Sequence, residues 1–120
     1  MMDLVRATGL AVAALILTAT LAFAHSKMST STPPDGGTAK AGLERLQVAF
    51  EKPVRVVRVV VKRTDEASDV PVLEPGVSKF TTTYGVKVAP LGPGAYRLDW
   101  TAVAKDGHVM KGKLSFSVTP

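Results

Sequence analysis

Tyr96, Leu98 and Trp100 alternate with Arg97 and Asp99, and Leu114, Phe116 and Val118 alternate with Ser115 and Ser117. That period of two predicts a pair of half-buried strands joined by a short connection. Leu46, Val48 and Phe50 alternate with Gln47 and Ala49 until Pro53 closes the run, which predicts another strand. Valine dominates from Val54 to Lys62. A constant alternation through that stretch turns Val57, Val59 and Val61 inward and Arg58 and Lys62 to solvent, leaving Val56 and Val60 on the outer face as a candidate contact patch.

The remaining segments are shorter. Lys62 to Ser68 reads as a charged turn, and Val70 to Leu73, which contains Pro71, as an edge strand. Lys79 to Val88, with three threonines before Tyr84, Val86 and Val88, is expected to hold one or two strands. Leu91-Gly92-Pro93-Gly94 turns the chain into the Tyr96 strand. His25 to Lys40 is polar and broken by Pro33-Pro34-Asp35-Gly36-Gly37, so an extended arm is expected there. About seven short strands separated by turn residues predict an all-β fold, a β-sandwich.

The first two dozen residues read differently. Leu10 to Leu21 is apolar, and Ala22-Phe23-Ala24 has the small-x-small form of a signal-peptidase site. The expectation is a cleaved signal peptide over 1–24 and one domain over 25–120, beginning at His25. Composition narrows the chemistry that domain can carry. The chain has 120 residues and no cysteine, which excludes disulfides, thiolate metal sites and cysteine nucleophiles. Its formal charge of +5 is spread through the chain and aromatic residues are few, so a solvated surface is expected rather than one that attracts nucleic acid or anionic lipid. There is no Gly-x-Ser-x-Gly elbow and no His-Glu-x-x-His helix, and hydrolytic catalysis has little to be assembled from.

What remains is a metal-ligand pattern. The chain has two histidines, His25 and His108. A freed N-terminal His25 offers its α-amino group and imidazole Nδ1 as a chelate. Asp106 and His108 are one residue apart and project to the same side of an extended chain, and Gly107 lets the backbone bend between them. Three nitrogens and a carboxylate oxygen in a tetragonal arrangement suit one copper(II) ion, with zinc as the nearest competitor. Copper(I) prefers softer ligands, for which only Met28 and Met110 are within plausible reach, and no dedicated copper(I) site is predicted. The plain alternative is that Asp106-Gly107 forms a hairpin turn and His108 merely follows it.

The same residues carry a family resemblance. The processed His25, Ser31-Thr32-Pro33-Pro34-Asp35-Gly36, Leu46-x-Val48-x-Phe50-x-x-Pro53-Val54, Gly94-x-Tyr96-Arg97-Leu98-Asp99-Trp100, Asp106-Gly107-His108 and Gly112-x-Leu114-x-Phe116-x-Val118 resemble the CopC family of periplasmic copper-binding proteins. The resemblance implies an immunoglobulin-like Greek-key β-sandwich that binds copper(II) through His25, Asp106 and His108. It further implies a periplasmic role in copper tolerance or uptake, often beside an inner-membrane partner of the CopD type, and no enzymatic activity. The chain departs from some members in having Lys27 at the third mature position and no methionine-rich loop. Two other functions share parts of this pattern: a metal-independent interaction or adhesion domain on a β-sandwich, and a copper-brace monooxygenase.

Overall fold

A computed structural model of the chain describes residues 28–120. Its regular elements are eight strands: β1 (Met28–Thr32), β2 (Gly37–Lys40), β3 (Arg45–Arg63), β4 (Ser68–Val70), β5 (Val72–Glu74), β6 (Phe80–Val88), β7 (Gly94–Ala104) and β8 (Val109–Thr119). They form one sheet in the order β2-β8-β7-β3-β6-β5, with β1 and β4 each paired to β3.

The architecture follows from β3, 19 residues long. Its first part, Arg45 to Ala49, pairs with β6, and Gln47 to Phe50 with β1. Its second part, Val54 to Arg63, pairs with β7. Between them the ladder to β6 is interrupted from Ala49 to Val54, where Pro53 has no N–H to donate. The strand therefore serves both halves of a curled, all-β sheet, and the expected separate strands before and after Pro53 are one.

A single core lies between the halves, built from Leu46, Val48 and Phe50 of β3, Tyr84, Val86 and Val88 of β6, and the inward residues of β7 and β8. Phe50 meets Trp100 edge-on at 5.0 Å between ring centroids, and Tyr96 stacks on Phe116 at 5.6 Å. Trp100 lies directly against the backbone of Gly112, where an added Cβ would come 2.3 Å from Trp100 Cζ2. The Tyr96 hydroxyl donates to the Gly92 carbonyl at 2.8 Å, tying the β6–β7 turn to the strand it opens.

Two expectations need correcting. Val56 is buried and Val57 is 53% exposed, the reverse of the constant alternation, because a register shift between Val56 and Arg58 in the β3–β7 ladder exchanges the faces. Beyond it the expected pattern resumes: Val61 is buried and Val59 packs against the core. An outer patch of Val56 with Val60 is thus lost. The His25–Lys40 segment is not an unpaired arm over its described part, since β1 pairs antiparallel with β3 and β2 parallel with β8. Between them Asp35 Oδ1 accepts the Ser115 N–H at 2.9 Å, and the Gly36 N–H donates to Ser115 O at 2.7 Å. The leader read at 1–24 and His25 lie outside the described residues.

Candidate metal centre

The β7–β8 connection is a tight hairpin. Gly107 N–H donates to Ala104 O at 3.0 Å and Ala104 N–H to His108 O at 2.9 Å, the pattern of a three-residue loop closed by a bulge. Gly107 takes φ +91°, a left-handed conformation that side-chain-bearing residues rarely adopt, which is why glycine stands there.

That turn, rather than an extended segment, brings Asp106 and His108 together. Asp106 Oδ1 accepts the His108 backbone N–H at 3.1 Å, and Asp106 Oδ2 lies 2.8 Å from His108 Nδ1. With Nδ1 as donor to the carboxylate, the neutral ring keeps its lone pair on Nε2, the nitrogen left for a metal. The ring is 83% and the carboxylate 63% exposed. The hydrogen bond from the His108 backbone, followed by that from its ring, holds the Asp106 carboxyl below the usual carboxylate range. Each carboxylate oxygen retains a lone pair beyond the bond it accepts, so Asp106 can steady the imidazole and still face an ion.

Among the described residues no group of three or more His, Asp or Glu side chains is placed to hold a metal. A closed site therefore needs donors from outside them. The register shows where the start of β1 lies relative to this turn. At Val48 and Gln47, β3 has β1 on one edge and β6 on the other; at Val54 it has β7 on one edge and β6 on the other. With β6 common to both, β1 and β7 share the second edge. Met28, the start of β1, is opposite Phe50, and Ala104, the end of β7, is opposite Val54. The start of β1 and the Asp106–His108 turn thus lie toward the same bend of β3.

Met28 and Met110 are partly buried and pack against the core. Met110 lies opposite Ala102 on the inward side of β8, next to Val109 but on the other face from it. The doubled hold of Asp106 on His108 was not anticipated from the sequence, although the Asp-x-His spacing signals it.

Residues 28–119 match the family model described as the CopC domain. The chain is 31% identical over 113 residues to Copper resistance protein C of Pseudomonas syringae pv. tomato, an alignment covering 88% of this chain and 90% of that protein. It is 29% identical over 107 residues to Copper resistance protein C of Escherichia coli, covering 81% and 83%. Among solved structures, the fold resembles CopC from Methylosinus trichosporium OB3b, with a TM-score of 0.67 at 19% identity over 80% of this chain and 95% of that one. It also resembles the copper resistance protein PcoC from Escherichia coli, with a TM-score of 0.65 at 21% identity over 78% and 100%.

Proposed function

Because the chain belongs to the CopC family, we propose that it acts in copper resistance as an exported, periplasmic copper(II)-binding protein that buffers or delivers the ion. The ligands are the α-amine and Nδ1 of His25, freed by cleavage after Ala24, with His108 Nε2 and Asp106. One ion is bound per chain, the protein is a carrier rather than an enzyme, and a CopD-type membrane protein is the expected recipient.

The observation that carries this reading is the 2.8 Å contact between Asp106 Oδ2 and His108 Nδ1. It fixes an exposed imidazole with its second nitrogen free, as metal-bound histidines are commonly held by a carboxylate. The position of β1 supports it. Met28 is three positions after His25, a reach of at most about 10 Å of extended chain, and β1 starts opposite Phe50 with its first residue at the end of the β1–β3 ladder nearer to Pro53 and Val54. That end of β3 is where Ala104 leads into the turn.

Titration with copper(II), followed by electron paramagnetic resonance, tests the ligand set. The mature protein should take one equivalent with a nitrogen-rich tetragonal spectrum, and a version with one residue added before His25 should bind much more weakly. Equal binding by both would exclude the terminal chelate. Acid should release the ion as the nitrogen donors gain protons.

A further inference from the structure

The outward residues of β3, β7 and β8 form rows across the sheet. Phe80, Arg55, Val103 and Val109 are successive cross-strand partners, and Arg58, Thr101 and Lys111 form the next row. Val57 projects outward between these rows. Farther along, Val60 pairs with Asp99 and Asp99 with Lys113, and Asp69, Lys62 and Arg97 complete the face.

The charge on this face is lopsided. It carries six cations, Arg55, Arg58, Lys62, Arg97, Lys111 and Lys113, against the two carboxylates of Asp69 and Asp99. Residues 28–120 contain thirteen Lys and Arg and nine Asp and Glu, so the other seven cations and seven carboxylates cancel. The whole side-chain excess of the described chain therefore sits on one side. Asp99 is committed to Arg97, with Oδ1 2.9 Å from Nε and Oδ2 3.1 Å from Nη2. The two rows nearest the β7–β8 turn hold no carboxylate.

Those rows and the space between them also hold three of the five exposed large apolar side chains among the described residues, the other two being Leu73 in β5 and Val77 after it. Val109 is 63% exposed, Val57 53% and Phe80 41%, with the Arg55 guanidinium 5.5 Å above the Phe80 ring. We propose that this face docks on an anionic lipid bilayer, with Arg55, Arg58 and Lys111 among the headgroups and Val57, Phe80 and Val109 in the interfacial layer. Charge complementarity selects the occupant: a dense cationic field meets an anionic leaflet, and isolated apolar tips between cations need a medium graded from water to hydrocarbon, not a shaped pocket. Val109 directly follows His108, so docking sets the Asp106–His108 turn at the bilayer surface.

The docking stands on the face alone and is tested on the metal-free mature protein, so loss of the copper reading would not affect it. Sedimentation with vesicles of about three parts phosphatidylcholine to one part phosphatidylglycerol should carry the protein down at about 20 mM salt and release it at about 300 mM, while pure phosphatidylcholine should not bind it. Arg58→Gln with Lys111→Gln should weaken partitioning about thirtyfold. Arg45→Gln with Lys87→Gln removes the same charge from the other half of the sheet and should leave partitioning within about twofold. Val57→Ser with Val109→Ser should weaken binding without changing its salt dependence, and circular dichroism verifies that each variant is folded. Absence of binding to the anionic vesicles would overturn the proposal, as would equal losses from the two charge pairs. Binding to polyglutamate but not to vesicles would also overturn it and assign the face to an acidic protein.

Discussion

Replacing Asp106 by Asn separates the metal-binding role of the turn from its role in folding. In the structure Oδ1 takes the His108 backbone N–H at 3.1 Å and Oδ2 takes Nδ1 at 2.8 Å. Asparagine keeps one acceptor, so the amide oxygen can still hold the backbone N–H and the turn closes as before. The amide NH2 then faces Nδ1, donor against donor, and the neutral imidazole must carry its proton on Nε2, the nitrogen offered to copper. Loss of a carboxylate that orients a metal-bound histidine typically lowers affinity ten- to a hundredfold, and loss of a negative charge beside the ion acts in the same direction. Both groups are well exposed, at 63% and 83%, so the melting temperature of the metal-free protein should not change beyond experimental error. Competition titration of copper(II) against a chelator of known affinity, beside thermal melts of metal-free protein, provides both readouts. An unchanged affinity would refute the assigned tautomer and the ligand set together. A large drop in melting temperature would show instead that Asp106 holds the hairpin and not the ion.

Gly112→Ala should destabilise by about 1–3 kcal/mol, because the new Cβ meets a Trp100 ring that Phe50 confines edge-on. That cost lowers the melting temperature by roughly 4–8 °C per kcal/mol, and Trp100, the chain's one tryptophan, reports the change by fluorescence. Val56→Ser should cost about 2 kcal/mol or more in urea denaturation and Val57→Ser less than about 0.5 kcal/mol; similar costs would contradict the exchange of faces. The hydrogen bond from Arg63, ahead of their charge attraction, lowers the Asp65 carboxyl below its usual range. Stability from this pair is present above the ordinary carboxylate range and lost as pH falls through and below it. The denaturation midpoints of wild type and Asp65→Asn should therefore converge in acid.

The parts of the fold that depend on side chains were legible in the sequence. Leu46, Val48 and Phe50, Tyr96, Leu98 and Trp100, and Leu114, Phe116 and Val118 all alternate in sequence and are all buried. The features missed are properties of the backbone. The bulge beside Val57 carries no glycine or proline to mark it, and one extra residue in a run of valines leaves the composition unchanged while inverting Val56 and Val57. β1 and β2 are held chiefly by ladder hydrogen bonds, and their Ser, Thr and Gly residues provide no hydrophobic period to detect. At the site, Asp106, Gly107 and His108 were legible as a group, but the conformation was not. The glycine that suggested freedom to bend is fixed at φ +91°, and the two side chains meet across a turn instead of projecting together from an extended chain.

The attachment of β1 bears on how occupancy of the centre would be felt elsewhere. Among the described residues β1 pairs only with β3, along one edge, and contributes no fully buried side chain to the core, Met28 being partly buried against it. Such a strand, like the shorter β4 and β5, has little to lose on detaching and is expected to open more readily than the ladders of β3, β7 and β8. A ligand bridging the segment before β1 to the hairpin would close that opening, and the binding energy would be spent partly on fastening a strand. Amide exchange in β1 would then slow on metal loading far more than exchange in the core ladders, so that the lability of one strand records whether the cargo is aboard.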